Sequence, residues 1–321
     1  MSIGIDLAPG NSAGRRLRHP LLVAAGGAGF GAELLEIVGV KAPGALVTRS
    51  VTRRPDRGAP PPRMAPLADG LLHAMGTPNP GIDAVLRRQG PRWAAFETPL
   101  IVSICGNDVD DIASMARTLE MQPDVSGLEL NLACGDRSRG GVPIGLEVET
   151  AETATVAARA ATDLPLIVKL TAVAPDIRPI ARAVVAAGAD AVSATTPLPA
   201  LLPDAARERP RLGAAYGGLS GPALKPTGLR VVYELAQVVK VPIIGIGGVA
   251  SLDDALDYLA AGASAVGLAT AALADPWLPA RLAEQLERWC EAQDVTLDQL
   301  IGRALPRRRD RGSLRGGSFR R

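Results

Sequence analysis

Eight short apolar runs punctuate the chain, at 21–25, 45–49, 100–104, 127–131, 166–170, 191–194, 242–246 and 265–268. Each has strand length, and most are rich in β-branched residues. Between most neighbouring runs the pattern shifts to a period near 3.6. Helical spacing covers 108–121, 147–162, 176–187, 227–239 and 251–261. The runs are apolar almost throughout instead of alternating with polar positions, which is the signature of parallel strands covered on both faces. Ser251 followed by Asp254 resembles a capping box at a helix start, and Gly262 supplies a stop. Eight alternations of this kind predict an α/β fold, a (β/α)8 TIM barrel. An open doubly wound sheet is disfavoured because no GxGxxG opens the first helix.

Two connections exceed an ordinary loop, 50–93 after strand 2 and 195–226 after strand 6. Long inserts at the C-terminal ends of barrel strands commonly build or cover an active site. The residues before Leu21 are expected to form a hairpin closing the barrel floor.

Composition adds boundaries. Of 321 residues, 47% are hydrophobic and 21% charged, enough apolar material for one large core. No apolar run approaches the roughly 18 residues that a membrane helix needs, and no signal-peptide pattern opens the sequence, so a cytoplasmic protein without membrane contact is expected. The net charge of +2 is uneven. From Gly302 onward there are eight arginines and one aspartate, leaving 27 basic against 32 acidic residues before it. The expected division is a barrel over 1–304 and a basic, disordered tail over 305–321. The acidic folded part argues against nucleic acid as a partner. Three cysteines without a CxxC spacing suggest no metal site.

Candidate chemistry gathers where strands end. The run from Gly127 finishes in Asn131, Cys134 and Asp136, followed by Ser138, Arg139, Gly140 and Gly141. A barrel presents reactive groups in this way. Cys134 alone is expected at a strand-to-loop junction; the plainer reading is a small buried hydrophobe. Gly247 and Gly248 end the seventh run, and Ala269 and Thr270 the eighth, the usual place for a phosphate in a barrel. A tight turn is the competing reading. Lys169 stands next to last in the fifth run, where a cation at a barrel mouth needs an anionic or polarised partner.

These pieces carry a resemblance. Residues 21–26 (LLVAAG), 47–52 (VTRSVT), 74–81 (AMGTPNPG), 129–134 (ELNLAC), 168–170 (VKL), 217–226 (GGLSGPALKP) and 243–249 (IIGIGGV) occur in one order. The chain resembles the dihydroorotate dehydrogenase family, soluble class I, over roughly residues 15–275. That resemblance implies FMN at the barrel mouth and oxidation of a CH–CH bond beside a carbonyl. Cys134 would be the acid/base, with Asn131 and Lys169 completing the catalytic group. The cofactor would lie against Ala25, Gly26, Arg49, Ser50, Ser103, Asn131, Lys169, Thr195, Gly221, Gly247, Gly248, Ala269 and Thr270. Beside a flavin, Lys169 could face N1 and O2, where reduction places negative charge. The substrate would meet Arg49, His73, Ala74, Met75, Gly76, Thr77, Asn131, Asp136, Thr196 and Pro197. A homodimer is implied, and the Gly140–Gly141 loop is similar to the branch that pairs with an FAD/iron–sulfur electron-transfer subunit.

The substrate side departs from the family pattern. Arg49 replaces a lysine, His73 and Thr196 replace asparagines, Asp136 replaces another, and Ser103 stands where many members have an asparagine. Ala25 and Ala269 replace a serine and a glycine near the cofactor. A carboxylate at Asp136 only accepts hydrogen bonds and would repel an anionic substrate, so a neutral or cationic ring or lactam is expected. The alternatives are dihydroorotate itself, a flavin-free barrel binding a phosphorylated ligand, and an interaction protein using its basic tail.

Overall fold

The structure, a computed structural model, describes residues 2–39, 43–133, 135–136 and 142–306, with the backbone alone at 135, 136 and 142. All eight predicted runs become strands: β1 (Leu21–Val23), β2 (Leu46–Val47), β3 (Leu100–Ile104), β4 (Gly127–Asn131), β5 (Leu166–Lys169), β6 (Ala191–Ala194), β7 (Ile243–Ile246) and β8 (Ala265–Leu268). They pair in parallel in chain order, and β8 closes on β1 through Leu268 opposite Val23. Successive side chains point to opposite faces. Leu21, Val23, Leu100, Val102, Leu128, Leu130, Leu166 and Val168 pack outward with helix residues in one large core. Leu22, Val47, Ile101, Ile167, Ile244 and Ala265 fill the barrel interior.

The helices are α1 (Ala32–Val38), α2 (Ile82–Trp93), α3 (Val109–Glu120), α4 (Val148–Arg159), α5 (Ile177–Ala186), α6 (Lys225–Ala236), α7 (Leu252–Ala260), α8 (Thr270–Ala274), α9 (Leu278–Gln293) and α10 (Leu297–Leu300). Five of them, α3 to α7, match the predicted segments to within a few residues. Helix α2 was hidden by Gly90 and Pro91, which lie inside it and belong to the poorest helix formers. Its packing supplies what propensity withholds: Ile82, Val85 and Trp93 are buried, and the Trp93 indole donates to Phe30 O at 3.0 Å.

The barrel floor carries the expected hairpin. Ile5–Asp6 pairs antiparallel with Arg16–Leu17, and Leu7 and Leu17 join the interior cluster. Asn11 Nδ2 fastens it by donating to Asp163 O at 3.0 Å and to Asp190 Oδ2 at 3.1 Å. At the other end, parts of the two long connections meet. Met64–Leu67, Gly70–His73, Tyr216–Ser220 and Leu198–Leu201 form a four-stranded antiparallel sheet over its own small cluster of Ala65, Leu72 and Leu212. Towards the end of the chain, the N–H groups of Gly302 and Ala304 still donate to Leu259 O and Ala260 O, both at 2.9 Å. Most of the expected basic tail, residues 307–321, lies outside the described residues. Among the described residues, no helix is long and apolar enough to cross a membrane.

Candidate active site

The period of two that fills the barrel with aliphatic residues turns polar towards the C-terminal ends of the strands. Ser103 follows Ile101, Lys169 follows Ile167, and Ser193 follows Ala191 on the inward face. On β4 the outward leucines 128 and 130 leave Glu129 and Asn131 inward. Lys169 stands opposite both Asn131 and Ser193, and Ser103 stands opposite Glu129.

Two chains of hydrogen bonds hold this layer. Asn131 Nδ2 donates to Ser50 Oγ at 2.9 Å, and Ser50 shares a hydrogen bond with Ser103 Oγ at 2.9 Å. The Asn131 oxygen accepts from the N–H of Ala133 at 3.1 Å, so its amide orientation is fixed from both ends. In the second chain, Lys169 Nζ lies 3.5 Å from Glu129 Oε1, and Ser193 Oγ donates to Glu129 Oε2 at 3.0 Å. The Lys169 and Glu129 side chains are only 7% and 2% exposed. A buried charge demands a partner of opposite sign, and each meets that need for the other. Beside them, Thr196 and Thr171 join hydroxyls at 2.9 Å, and Thr195 Oγ1 accepts from the N–H of Ala172 at 3.0 Å.

The loops after β7 and β8 form a cradle. Gly247 and Gly248 have φ of 127° and 73°, values that side chains rarely permit. A Cβ on Gly248 would lie 2.7 Å from Lys225 N and 3.0 Å from Gly221 O. Glycine here is demanded by both dihedral and space. Tyr258, from α7, donates to Gly247 O at 2.7 Å and so pins the loop from behind. Burial, with Asp254 nearby, pushes the Tyr258 phenol well above its ordinary pKa, so it stays a donor.

The start of α7 is already satisfied. Ser251 accepts from the N–H of Asp254, while Asp254 Oδ2 accepts from Ala250 and Ser251, each at 2.9 Å. Helix α8 has no side-chain cap, and its first residue, Thr270, bonds Ser220 Oγ at 2.9 Å. Ala25 and Ala269 pack against the interior cluster, and Gly26 turns the chain with φ of 96°.

The expected substrate side lies towards the antiparallel sheet. Burial first, and the charge of Arg63 second, lower the Arg49 pKa, although a guanidinium stays charged in proteins. The Arg63 guanidinium itself donates to Ala59 O at 2.6 Å and to Arg57 O at 2.9 Å. Arg63 O accepts from Ala74 N at 2.8 Å, and Met75 O accepts from Ala59 N at 3.0 Å. Gly76 turns with φ of 64°, and Thr77 O accepts from Asn79 Nδ2 at 2.7 Å. His73 pairs with Gly218, which has no room for a Cβ because Pro197 would lie 2.5 Å away. Burial lowers the His73 pKa, leaving it neutral at pH 7.

Cys134 and the side chain of Asp136 lie outside the described residues. Another cysteine stands directly at a strand end. Cys105 directly follows β3, buried, with its N–H donating to Val51 O at 2.9 Å. Sequence reading missed Glu129, Thr171 and Tyr258. For Glu129 the signal was available, since a charge between two leucines of a doubly covered strand has to be buried. Tyr258 offered no comparable signal.

A parallel barrel with a polar C-terminal mouth, a glycine cradle after its seventh strand and a helix without a side-chain cap after its eighth defines the class, an α/β-barrel enzyme. The family model described as dihydroorotate dehydrogenase matches residues 9–289, and the chain belongs to that family of oxidoreductases. It is 41% identical over 293 residues to a protein of Desulforudis audaxviator named dihydroorotate dehydrogenase B (NAD(+)), catalytic subunit, covering 91% of this chain and 95% of the relative. Proteins of the same name from Trichlorobacter lovleyi and Geobacter sulfurreducens are both 39% identical. They are covered to 95% of their length by 89% and 90% of this chain.

Proposed function

We propose that this chain is an FMN-dependent oxidoreductase that removes two hydrogens from a CH–CH bond beside a ring carbonyl. The observation that carries the reading is the Asn131 amide, fixed by Ser50 Oγ and the Ala133 N–H next to the buried Lys169–Glu129 pair at the mouth. Residue types present there suit the cofactor. Amides at Gly247, Gly248 and the start of α8 are donors for a phosphate, and the Thr270 hydroxyl lies beside them. Gly221 keeps the backbone low in front of the cradle. Ala25, Gly26, Arg49, Ser50, Ser103 and Thr195 border the mouth, and Lys169 brings positive charge to the ring. When bound, FMN supplies the two-electron acceptor.

The protein's own groups do the rest. Cys134, three residues beyond Asn131, takes the proton from the carbon beside the carbonyl. Asn131 presents one amide N–H and one carbonyl oxygen in a single orientation, which selects a ring edge carrying both acceptor and donor. Arg49, Asp136, Thr196, Pro197 and the 73–77 segment line the substrate side. Neutral His73 can donate one hydrogen bond and accept another.

The half-buried Arg49 cation favours an anionic group on the substrate, as in dihydroorotate. The case for a neutral ring rests on Asp136, whose side chain lies outside the described residues. Anaerobic mixing decides between them. Dihydroorotate should bleach the flavin absorbance, and uncharged dihydropyrimidines should do so far more slowly; bleaching by the uncharged rings alone would reverse the assignment. The visible spectrum of the purified protein tests the cofactor itself. The assembly we favour is a homodimer with an FAD/iron–sulfur partner subunit that carries electrons onward, in line with the relatives named as catalytic subunits.

A further inference from the structure

We propose that Glu129 is a positioning residue for the redox centre, whose buried carboxylate holds the Lys169 ammonium and offsets its charge. It thereby limits how readily the neighbouring flavin takes up electrons. The proposal rests on the FMN reading above and goes beyond it.

Four observations lead to Glu129. It points into the barrel from the middle of β4, opposite Ser103 and Ile167 in the ladders on its two sides. It is 1% exposed, so its charge has no water to lean on. Ser193 holds Oε2 at 3.0 Å, which leaves Oε1 to Lys169. The Nζ–Oε1 separation of 3.5 Å is longer than the roughly 2.7–2.9 Å of a tight charge-assisted bond. An ammonium has three donors, and one long bond to Glu129 leaves it able to serve a second acceptor.

Stability does not account for the pair. Buried ion pairs commonly stabilise a fold no better than apolar residues of the same size, because desolvation offsets their attraction. Such a pair does control charge. Reduction places negative charge on the flavin ring, and Lys169 favours it. Glu129 opposes it, being a fixed negative charge in a poorly screened interior. With the carboxylate present, the lysine reaches the ring as one half of a near-neutral pair. Without it, the full cation acts on the reduced form.

The test measures the midpoint potential of FMN bound to the purified holoprotein by dye equilibration, together with its melting temperature. Glu129→Gln keeps the shape and removes the charge. It should raise the potential, changing the ratio of reduced to oxidised flavin at least tenfold, about 30 mV for a two-electron couple. Ser193→Ala removes the hydroxyl that holds Oε2, so the carboxylate is less firmly aimed at Lys169, and should shift the potential the same way by less. If Glu129→Gln gives no folded protein, the Ser193→Ala result decides alone. An unchanged potential with a lower melting temperature would mean a structural role and overturn the proposal. A lowered potential would overturn it too, because Glu129 would then merely keep Lys169 in place. A wild-type protein that takes up no FMN would instead defeat the cofactor reading on which the proposal stands.

Discussion

In the proposed function Cys134 carries the proton chemistry, and its ionisation would then set a visible pH dependence. A thiol of ordinary pKa, about 8.5, is mostly protonated at neutral pH, so the rate of flavin reduction should climb towards alkaline pH. Cys134→Ser should retain FMN and slow reduction by roughly 10²–10⁴, the usual contribution of a general base. Cys290, a buried free thiol on α9, is the control, and Cys290→Ser should leave the reduction rate unchanged. Equal losses in both variants would remove Cys134 from the mechanism. Lys169→Ala should weaken FMN binding and make the flavin harder to reduce; unchanged affinity and potential would leave it a structural lysine. His73 gives a third residue-level test. Its pKa is lowered by burial, so the neutral form is the one the fold prefers. The stability it contributes is complete above the ordinary value near 6.5 and is lost as pH falls through the lower folded value. An NMR titration of the imidazole should find its midpoint below 6.5, and a midpoint above it would contradict the burial argument.

Among the elements, the loop after β7 depends on a side chain that belongs to the next helix. Tyr258→Phe keeps the ring but deletes the donor to Gly247 O, leaving a carbonyl of the cradle without that partner. The expected cost is about 1 kcal/mol in stability. FMN affinity should fall severalfold, read by fluorescence titration, since the amides of Gly247 and Gly248 are then less firmly oriented. Loss of stability with unchanged affinity would separate the tyrosine from the cofactor. The elements also differ in how legible they were. Strands β1 to β8 could be read because doubly covered parallel strands are apolar throughout and short. Helix α2 could not, since Gly90 and Pro91 interrupt its pattern while tertiary packing of Trp93 sustains it. Parts of the long connections form strands of a separate sheet, and their partners lie far apart in sequence: Ser220 sits opposite Leu71. No local period encodes such a pairing.

At the scale of the molecule, the barrel has a floor devoted to packing and a mouth devoted to chemistry. Leu17, from the N-terminal hairpin, is 3% exposed within the interior cluster. Leu17→Ala should destabilise the protein by about 2–5 kcal/mol, lowering the melting temperature while the flavin potential stays put. A changed potential would mean that floor and mouth are coupled. The same division explains what the sequence disclosed about the site. Asn131, Lys169, Gly247 and Gly248 stood out because they end strands. The Glu129–Lys169 pair is a product of folding, and only three-dimensional placement joins its two members.

The hydrogen bond between Thr270 and Ser220 reaches beyond the cradle. Ser220 ends a strand of the antiparallel sheet, and its hydroxyl also lies 3.3 Å from Leu71 O on the next strand. A ligand that ordered the start of α8 would, through this bond, be expected to tighten a sheet it need not touch. Amide hydrogen exchange offers a remote gauge of occupancy: the backbone amides of Leu72 and Leu219 should exchange more slowly once phosphate or FMN is bound. The antiparallel sheet would then report whether the cradle is full, even with a colourless ligand.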